Sequence, residues 1–189
     1  MRFIVFFLSL LALSGCAASI PPVEVTRFHL GQQPASGPVV IEAAEGQNAA
    51  NLEFGTYAAA VSRELIRLGY PLEGKATYRI FLGFDRAERQ VAKRSPVTIG
   101  IGGGSFGGNV GIGLGTSFGV GKSTSAIIGT RMSVQMKRIS DGAVVWEGRA
   151  QTEAPANAPA AQPGLAADKL SRALFQDFPG ESGRTITVP

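Results

Sequence analysis

One residue in this sequence combines a reactive side chain with a distinctive neighbourhood. Cys16 is the only cysteine among the 189 residues, and it follows Leu13, Ser14 and Gly15. A cysteine thiol can carry a lipid through a thioether bond, and small residues before it allow the backbone to enter a protease in extended form. Because no other cysteine is present, the rest of the chain has no thiol for a disulfide, a thiolate metal site or a cysteine nucleophile.

The residues before Cys16 are organised like a secretory signal. Arg2 gives a positive N-terminal end, and the apolar stretch Phe3–Leu13 is interrupted only by Ser9. A spanning helix needs about 20 apolar residues, so this stretch is too short to hold a protein in a bilayer. The four residues ending at Cys16 resemble the bacterial lipobox. That resemblance implies cleavage before Cys16, which makes residues 1–15 a lipoprotein signal peptide.

A lipid on Cys16 predicts attachment to a membrane. One acyl chain binds a membrane only weakly, at about 10⁴ M⁻¹, so durable attachment needs the two or three chains of a lipoprotein, such as palmitate. In the Gram-negative lipoproteins that this N-terminus resembles, an aspartate after the cysteine commonly retains the protein in the inner membrane. Ala17 stands at that position, so we expect an outer-membrane anchor with the domain in the periplasm. The alternative is an ordinary signal peptide cleaved after Ala18, which discards the thiol.

The rest of the chain is long enough for one domain with a hydrophobic core. We expect a lipidated cysteine and short tether over residues 16–22, followed by a single domain over residues 23–189. The whole chain has a net charge of +4, and loss of Arg2 with the signal lowers it to +3. This charge is small and its basic side chains are dispersed, so the sequence does not indicate a nucleic-acid partner.

The first half of the domain is predicted to contain two strands and a helix. Val23–Leu30 and Val39–Glu42 have the composition of short strands. From Asn51 onward, apolar residues recur at three- and four-residue intervals until Gly69 and Pro71, which predicts a helix. The residues assigned to its apolar face are Leu52, Phe54, Tyr57, Val61, Leu65 and Leu68.

The second half is predicted to consist mostly of strands. Ala76–Glu88 alternates between apolar and polar residues. Arg131–Ile139 and Ala143–Thr152 flank Asp141-Gly142, a dipeptide typical of a tight hairpin turn, with Val144 and Trp146 expected on one face of the second arm. A second helix is expected from Pro163 to about Asp177, and Thr185–Val188 is either a last strand or a frayed tail. The pattern predicts an α+β fold, with an antiparallel sheet, two helices on one face, and a Gly-rich β-hairpin or loop.

The Gly-rich segment at residues 96–121 is the most unusual part of the composition. Eleven of the 22 residues from Gly100 to Gly121 are glycine. A phosphate-binding loop is excluded because Thr116 occupies a position where that motif requires glycine. A membrane-inserting glycine zipper is disfavoured because the apolar residues are two positions apart, whereas a zipper helix needs them four apart. A structural loop and a docking edge both remain open. The side chains offered as partner contacts are Ile101, Phe106, Ile112 and Leu114.

The sequence does not assemble a catalytic centre. His29 is the only histidine and lies on a predicted strand, so a role as metal ligand or general base is disfavoured. Asp85, Arg86 and Glu88 are read as solvated surface charges. Ser123 lies in no nucleophile motif. We therefore expect no enzyme activity, no metal and no cofactor.

Three segments together resemble a family of Gram-negative envelope lipoproteins known as DUF4136. They are Thr56–Tyr70, Met132–Ala150 and Ala173–Pro179. Members share a helix ending in L-x-x-x-G-Y or similar, a hairpin ending in V-W-x-G, and a terminal helix closing in F-P, and the match extends over most of the mature chain. The resemblance implies an α+β envelope domain without known catalytic residues.

Two functions from different classes follow. In the first, the protein is a non-catalytic scaffold or binding module for another envelope protein or a lipid-transport assembly, with the Gly-rich segment as its contact. In the second, it is an envelope hydrolase or lipid-modifying enzyme, which would depend on residues such as His29, Asp85 and Ser123. The first is favoured because the chain lacks a convergent set of titratable groups.

Overall fold

The protein combines one six-stranded sheet with two helices in a computed structural model that describes residues 21–92 and 124–189. The strands, in chain order, are β1 (Val23–His29), β2 (Val39–Ala43), β3 (Tyr78–Ala92), β4 (Thr124–Arg138), β5 (Val144–Pro155) and β6 (Thr185–Val188). The helices are α1 (Leu52–Arg67) and α2 (Pro163–Phe175). The spatial order of the strands is β2-β3-β4-β5-β1-β6. The α+β fold class is confirmed.

One strand pair differs from a purely antiparallel sheet. β2 lies parallel to β3, from Val39 beside Tyr78 to Ala43 beside Leu82. Parallel neighbours need a long crossover connection, and α1 supplies it because it lies between β2 and β3 in the chain. The other four pairings are antiparallel, so the sheet is mixed. Both helices pack on one face of this sheet and against each other.

Helix α1 begins and ends close to where the sequence predicts. The Asn51 side chain accepts a hydrogen bond from the Glu53 amide at 2.8 Å, and Gly69 ends the helix with a φ of +86°. The expectation that Leu52 belongs to the apolar face is wrong, since its side chain is 91% exposed. Leu52 and Phe54 are two residues apart, which places them about 200° apart around a helix of 3.6 residues per turn.

The β4–β5 hairpin forms around the expected turn. Gly142 has a φ of +71°, and the Asp141 side chain accepts a hydrogen bond from the Ala143 amide at 3.1 Å. The expectation that Val144 shares the buried face with Trp146 is wrong. A bulge after Met136 inserts one extra residue in β5, so Val145 is buried beside Trp146 while Val144 is 39% exposed.

The core lies between the helices and the sheet face that they cover. Its aromatic centre is Trp146, which stacks on Phe175 with ring centroids 5.4 Å apart. The Trp146 ring also packs at a tilt against Phe178, and these two ring centroids are 5.2 Å apart. Tyr70 packs edge-on against Phe178, with ring centroids 5.9 Å apart. Within the described residues, no helix is both long enough and apolar enough to cross a membrane.

Candidate functional site

Several residues named by the sequence lie outside the described ranges. These are the signal residues 1–15, the lipobox residues Leu13, Ser14 and Gly15, the lipid-attachment residue Cys16, and the partner-contact residues Ile101, Phe106, Ile112 and Leu114 of segment 96–121. Ser123 lies outside them as well. The candidate sites within the described residues lie on the sheet and at the end of α2.

His29 has a structural role in the fold. Its Nε2 lies 3.1 Å from the carbonyl oxygen of Gly180, and its Nδ1 accepts a hydrogen bond from the Gly31 amide at 3.0 Å. A carbonyl oxygen can only accept, so the proton must be on Nε2, and Nδ1 is the acceptor. Both ring nitrogens of this neutral tautomer are occupied by backbone partners.

Two further side chains hold the same part of the chain, and together with His29 they form what we call the turn clamp. Arg27 is 3% exposed and donates hydrogen bonds to Ala173 O at 2.7 Å and Leu174 O at 2.9 Å, while the Trp146 indole donates to Pro179 O at 3.0 Å. A cation at the C-terminal end of a helix also interacts favourably with the helix dipole. Burial lowers the pKa of Arg27, and the nearby Asp177 carboxylate opposes that shift.

Asp85, which the alternative enzyme function would use together with His29, does not lie near it. Asp85 is on the opposite face of the sheet from His29, in a groove bordered by Thr26 and Arg131. His29 and Asp85 therefore do not form an acid–base pair. Among the described residues, no group of three or more His, Cys, Asp or Glu side chains could hold a metal ion.

The sheet face opposite the helices, which we call the open face, carries a row of polar side chains across four strands. Asp85, Arg131, Gln151 and Glu24 lie directly beside one another on β3, β4, β5 and β1. Arg131 donates to the Gln151 amide oxygen at 3.3 Å, and the Gln151 amide donates to a Glu24 carboxylate oxygen at 2.6 Å. These hydrogen bonds fix the orientation of three side chains on an exposed surface.

Beside this row the open face has a floor of small residues. Gly83 and Ser133 are paired on β3 and β4, and Thr26 lies two strands further on. They line a groove of about 540 Å³, which adjoins a second groove of about 610 Å³ lined in part by Asp85 and Arg131. A Cβ at Gly83 would lie 2.9 Å from Ser133 Oγ, so a side chain there would narrow the groove.

The chemistry of the open face suits recognition of a polar surface. Arg149 pairs with Glu147 at 2.6 Å and Arg89 pairs with Glu153 at 2.5 Å, so acidic and basic groups lie side by side on the open face. Exposed ion pairs contribute little to stability, typically under about 1 kcal/mol, and their groups can exchange partners. The amide and guanidinium groups offer both donors and acceptors to a bound peptide segment.

Comparison with known proteins identifies a relative whose own function is uncharacterized. No protein-family profile matches the chain. The uncharacterized protein ZMO1243 of Zymomonas mobilis is 29% identical in an alignment 222 positions long, which covers 91% of this chain and 84% of that protein.

Solved structures resemble the fold at low identity. The PelC dodecamer of Paraburkholderia phytofirmans has a TM-score of 0.39 at 12% identity, covering 80% of this chain and 93% of that one. A PDZ domain protein of Parabacteroides distasonis has a TM-score of 0.46 at 9% identity, covering 98% of this chain and 41% of that one. The chain therefore spans less than half of the PDZ domain protein.

The open face and the turn clamp were both missed at the sequence level. The alternation of polar residues on β4 and β5 assigns Arg131 and Gln151 to one face of their strands, but only the pairing register brings them beside Asp85 and Glu24. Arg27 gave a weaker signal, because it is an arginine at an inward-facing position of β1. Its partners are backbone carbonyls, which no sequence pattern reveals.

Proposed function

We propose that this protein is a lipid-anchored envelope lipoprotein, held in the outer membrane by lipid on Cys16, whose periplasmic domain is a non-catalytic binding module for another envelope protein. The anchor is supported by the order of a basic residue, the apolar stretch Phe3–Leu13 and the lipobox-like residues up to Cys16. The observation that carries the binding module is the open face, because its groove presents oriented polar groups over a floor of small residues.

The chemistry of the groove indicates the kind of partner. Its walls contain carboxylates, guanidinium groups and an amide, which favours a polar protein segment over an apolar acyl chain. The floor at Gly83 and Ser133 leaves room for one side chain of that segment to approach the sheet. A lipid-transport assembly fits the same proposal if its contact with this domain is a protein surface.

The Gly-rich segment is a second candidate contact. Ile101, Phe106, Ile112 and Leu114 are apolar residues among glycines, and such a segment can lie flat against a partner sheet. This contact rests on the sequence alone.

The anchor is tested by Cys16→Ser in the full chain. We expect the variant to incorporate no labelled palmitate and to accumulate as an uncleaved precursor, because serine cannot form the thioether that the signal peptidase recognises. Gel mobility and metabolic labelling measure both effects. Normal processing of Cys16→Ser would contradict the lipoprotein assignment.

The binding module is tested by photocrosslinking in intact cells. A photoreactive amino acid at Ser133 on the groove floor should capture an envelope protein, whereas the same group at Ser140, in the exposed β4–β5 turn, should not. A third position, Ile101, reports on the Gly-rich segment. Capture from Ile101 alone would move the contact to that segment, and capture from none of the three would contradict the binding module.

A matched pair of substitutions checks the groove independently. Ser133→Trp should fill the groove and remove the captured protein from a pull-down. Ser140→Trp adds the same side chain outside the groove and should leave the pull-down unchanged. Equal retention by both variants would exclude the groove as the contact.

A further inference from the structure

Part of strand β3 has a neighbour on one side only among the described residues. β3 pairs with β4 over its full length, from Tyr78 to Ala92, but β2 covers it only as far as Leu82. Beyond β2, the Gln47 side chain donates to Phe84 O at 2.9 Å. The stretch Asp85–Arg89 follows, and its edge away from β4 has no strand beside it in the described part of the chain.

The backbone groups of this edge point outward at alternate residues. Leu82 O accepts a hydrogen bond from Ala44 N at 2.9 Å and Phe84 O accepts one from Gln47, so both carbonyls face away from β4. In an antiparallel ladder the N–H and C=O groups of one residue point to the same side and alternate along the strand. Arg86 and Glu88 therefore direct their N–H and C=O groups toward the open edge.

The side chains of the same stretch have an antisymmetric charge pattern. From Asp85 to Arg89 the charges are negative, positive, neutral, negative and positive. Reading the stretch backwards inverts every sign. Two identical copies of it, laid antiparallel about Ala87, would place an acidic residue opposite a basic one at each charged position.

We propose that β3 pairs with β3 of a second copy of this chain, antiparallel and centred on Ala87. The two-fold axis passes between the two Ala87 residues. Arg86 of one copy then faces Glu88 of the other, and Asp85 faces Arg89. The contact has four backbone hydrogen bonds, exchanged by Arg86 and Glu88 in both copies.

Backbone direction and charge together select this register. Because only even-numbered residues offer outward N–H and C=O groups, an even-numbered residue must face an even-numbered one. Two-fold registers that meet this condition near the stretch are centred on Arg86, Ala87 or Glu88. The first sets two arginines face to face and the third sets two glutamates face to face, and like charges directly opposite are unfavourable. The register centred on Ala87 is the one of these three with complementary charges.

The side-chain faces agree with the same register. Residues directly opposite in an antiparallel pair share a face. Asp85 and Arg89 both lie on the open face, whereas Arg86 lies on the helix side, where it pairs with Glu53 at 3.0 Å. Glu88 shares the helix side with Arg86 because the two are two residues apart on β3. The combined sheet thus has all its helices on one side.

Exposure of the stretch is compatible with a reversible contact. Asp85, Ala87, Glu88 and Arg89 are exposed. Charged edges also protect strands from unwanted pairing, and in that role their effect depends on charge and not on register. Five residues from each copy make a small interface, and small interfaces are typical of weak association. The charge pattern therefore predicts a weak, salt-sensitive dimer.

Complementary charge variants separate these two roles. Full-length chains carrying two different tags are co-expressed and extracted in mild detergent, and their co-purification is measured. Asp85→Arg alone and Arg89→Asp alone should each reduce self-association by at least about tenfold. In either variant, residues 85 and 89 of opposite copies carry the same charge, and the two-fold axis repeats this repulsion at a second contact. Mixing the two variants should restore it, because both contacts are again complementary. Glu73→Arg makes the same charge change in an exposed loop and should have no effect. Failure of the mixture to restore association would overturn the proposal.

Cysteine scanning tests the register directly. Ala87 pairs with itself at a position without mutual hydrogen bonds, where the two Cα atoms are about 4.5 Å apart, within the disulfide range of about 4.4–6.8 Å. Ala87→Cys in the full-length chain should give a disulfide-linked dimer on mild oxidation. The wild-type chain shows whether Cys16, the native cysteine, forms such a dimer by itself. Asp85→Cys and Glu88→Cys should not, because neither residue faces itself. A dimer from Glu88→Cys, or none from Ala87→Cys, would overturn the register.

Discussion

Single polar residues on β1 and β5 decide how the end of α2 meets the sheet. The turn clamp of Arg27, His29 and Trp146 binds backbone carbonyls between residues 173 and 180. Buried carbonyls without partners are costly. A hydrogen bond from a neutral donor such as Trp146 or His29 contributes about 0.5–1.5 kcal/mol, and one from the charged Arg27 about 1.5–3 kcal/mol. The only histidine and the only tryptophan of the chain therefore support the fold at the same place.

Trp146→Ala should destabilise the domain strongly. The substitution removes an indole that is 1% exposed, stacks on Phe175 and donates to Pro179 O. Truncation of a buried tryptophan typically costs about 3–5 kcal/mol, whereas exposed changes cost within about 0.5 kcal/mol. Denaturant titration should therefore give a much lower free energy of unfolding for Trp146→Ala than for Leu52→Ala, because Leu52 is 91% exposed in α1. Single changes in the glycines of segment 96–121 are expected to match Leu52→Ala; a loss equal to that of Trp146→Ala would place the segment in the core.

Tyr57 predicts a loss of stability at high pH. Burial raises the pKa of Tyr57 from 10.0 to about 12, and the nearby Arg86 opposes the shift. The phenol ionises more easily in the unfolded chain than in the folded protein. The neutral Tyr57 side chain therefore adds its full contribution to the free energy of unfolding below pH 10, and this contribution is lost as the pH rises toward 12. At 1.36 kcal/mol per pKa unit, the loss approaches about 3 kcal/mol.

The matching variant is Tyr57→Phe. Its hydroxyl has no hydrogen-bond partner in the described part of the chain, so the variant should be as stable as wild type at pH 8 and lose less stability between pH 10 and 11.5. Tyr70→Phe is the contrasting control, because the Tyr70 hydroxyl donates to Pro34 O at 2.5 Å and its loss should cost about 1 kcal/mol. Identical pH profiles for wild type and Tyr57→Phe would exclude Tyr57 as the titrating group.

At the scale of elements, two glycines in different backbone conformations predict opposite effects. Gly142 has a φ of +71° in the β4–β5 turn, so Gly142→Ala should destabilise the protein by about 1–2 kcal/mol. Gly55 lies inside α1, and an added Cβ would meet nothing within 4 Å. Gly55→Ala should therefore stabilise by about 0.5–1 kcal/mol. Thermal melts of both variants give the two signs, and destabilisation by Gly55→Ala would show that α1 does not tolerate the added methyl group.

The elements were more predictable than their arrangement. The hairpin turn at Asp141-Gly142 and the end of α1 at Gly69 depend on local backbone preferences, which residue types reveal directly. The parallel pairing of β2 and the bulge that buries Val145 depend on contacts between segments distant in sequence. The row from Asp85 to Glu24 is likewise a product of register across four strands, which the alternation within each strand leaves open.

At the scale of the whole molecule, the two proposed contacts use different parts of the sheet. The groove lies on the open face, while self-pairing uses the edge of β3, and Asp85 borders both. Binding of a partner in the groove and pairing of two copies would then share one carboxylate. Ser133→Trp acts on the groove that Ser133 lines. Arg89→Asp changes the edge and the adjoining second groove, but Arg89 does not line the groove at Ser133. The two variants therefore separate the two contacts.

Substitution of Ala17 tests which membrane holds the lipid anchor. In the lipoproteins that this N-terminus resembles, aspartate after the lipidated cysteine favours retention in the inner membrane, and this chain has Ala17 there. Ala17→Asp should keep lipidation and processing, because the lipobox is unchanged, but move the protein to the inner-membrane fraction of a density gradient. Ala17→Ser, which adds a polar group without a charge, should stay with the wild type in the outer membrane. If the wild-type chain is itself found in the inner membrane, the sorting proposal fails while attachment through Cys16 stands, since attachment depends on the acyl chains and not on the residue that follows them.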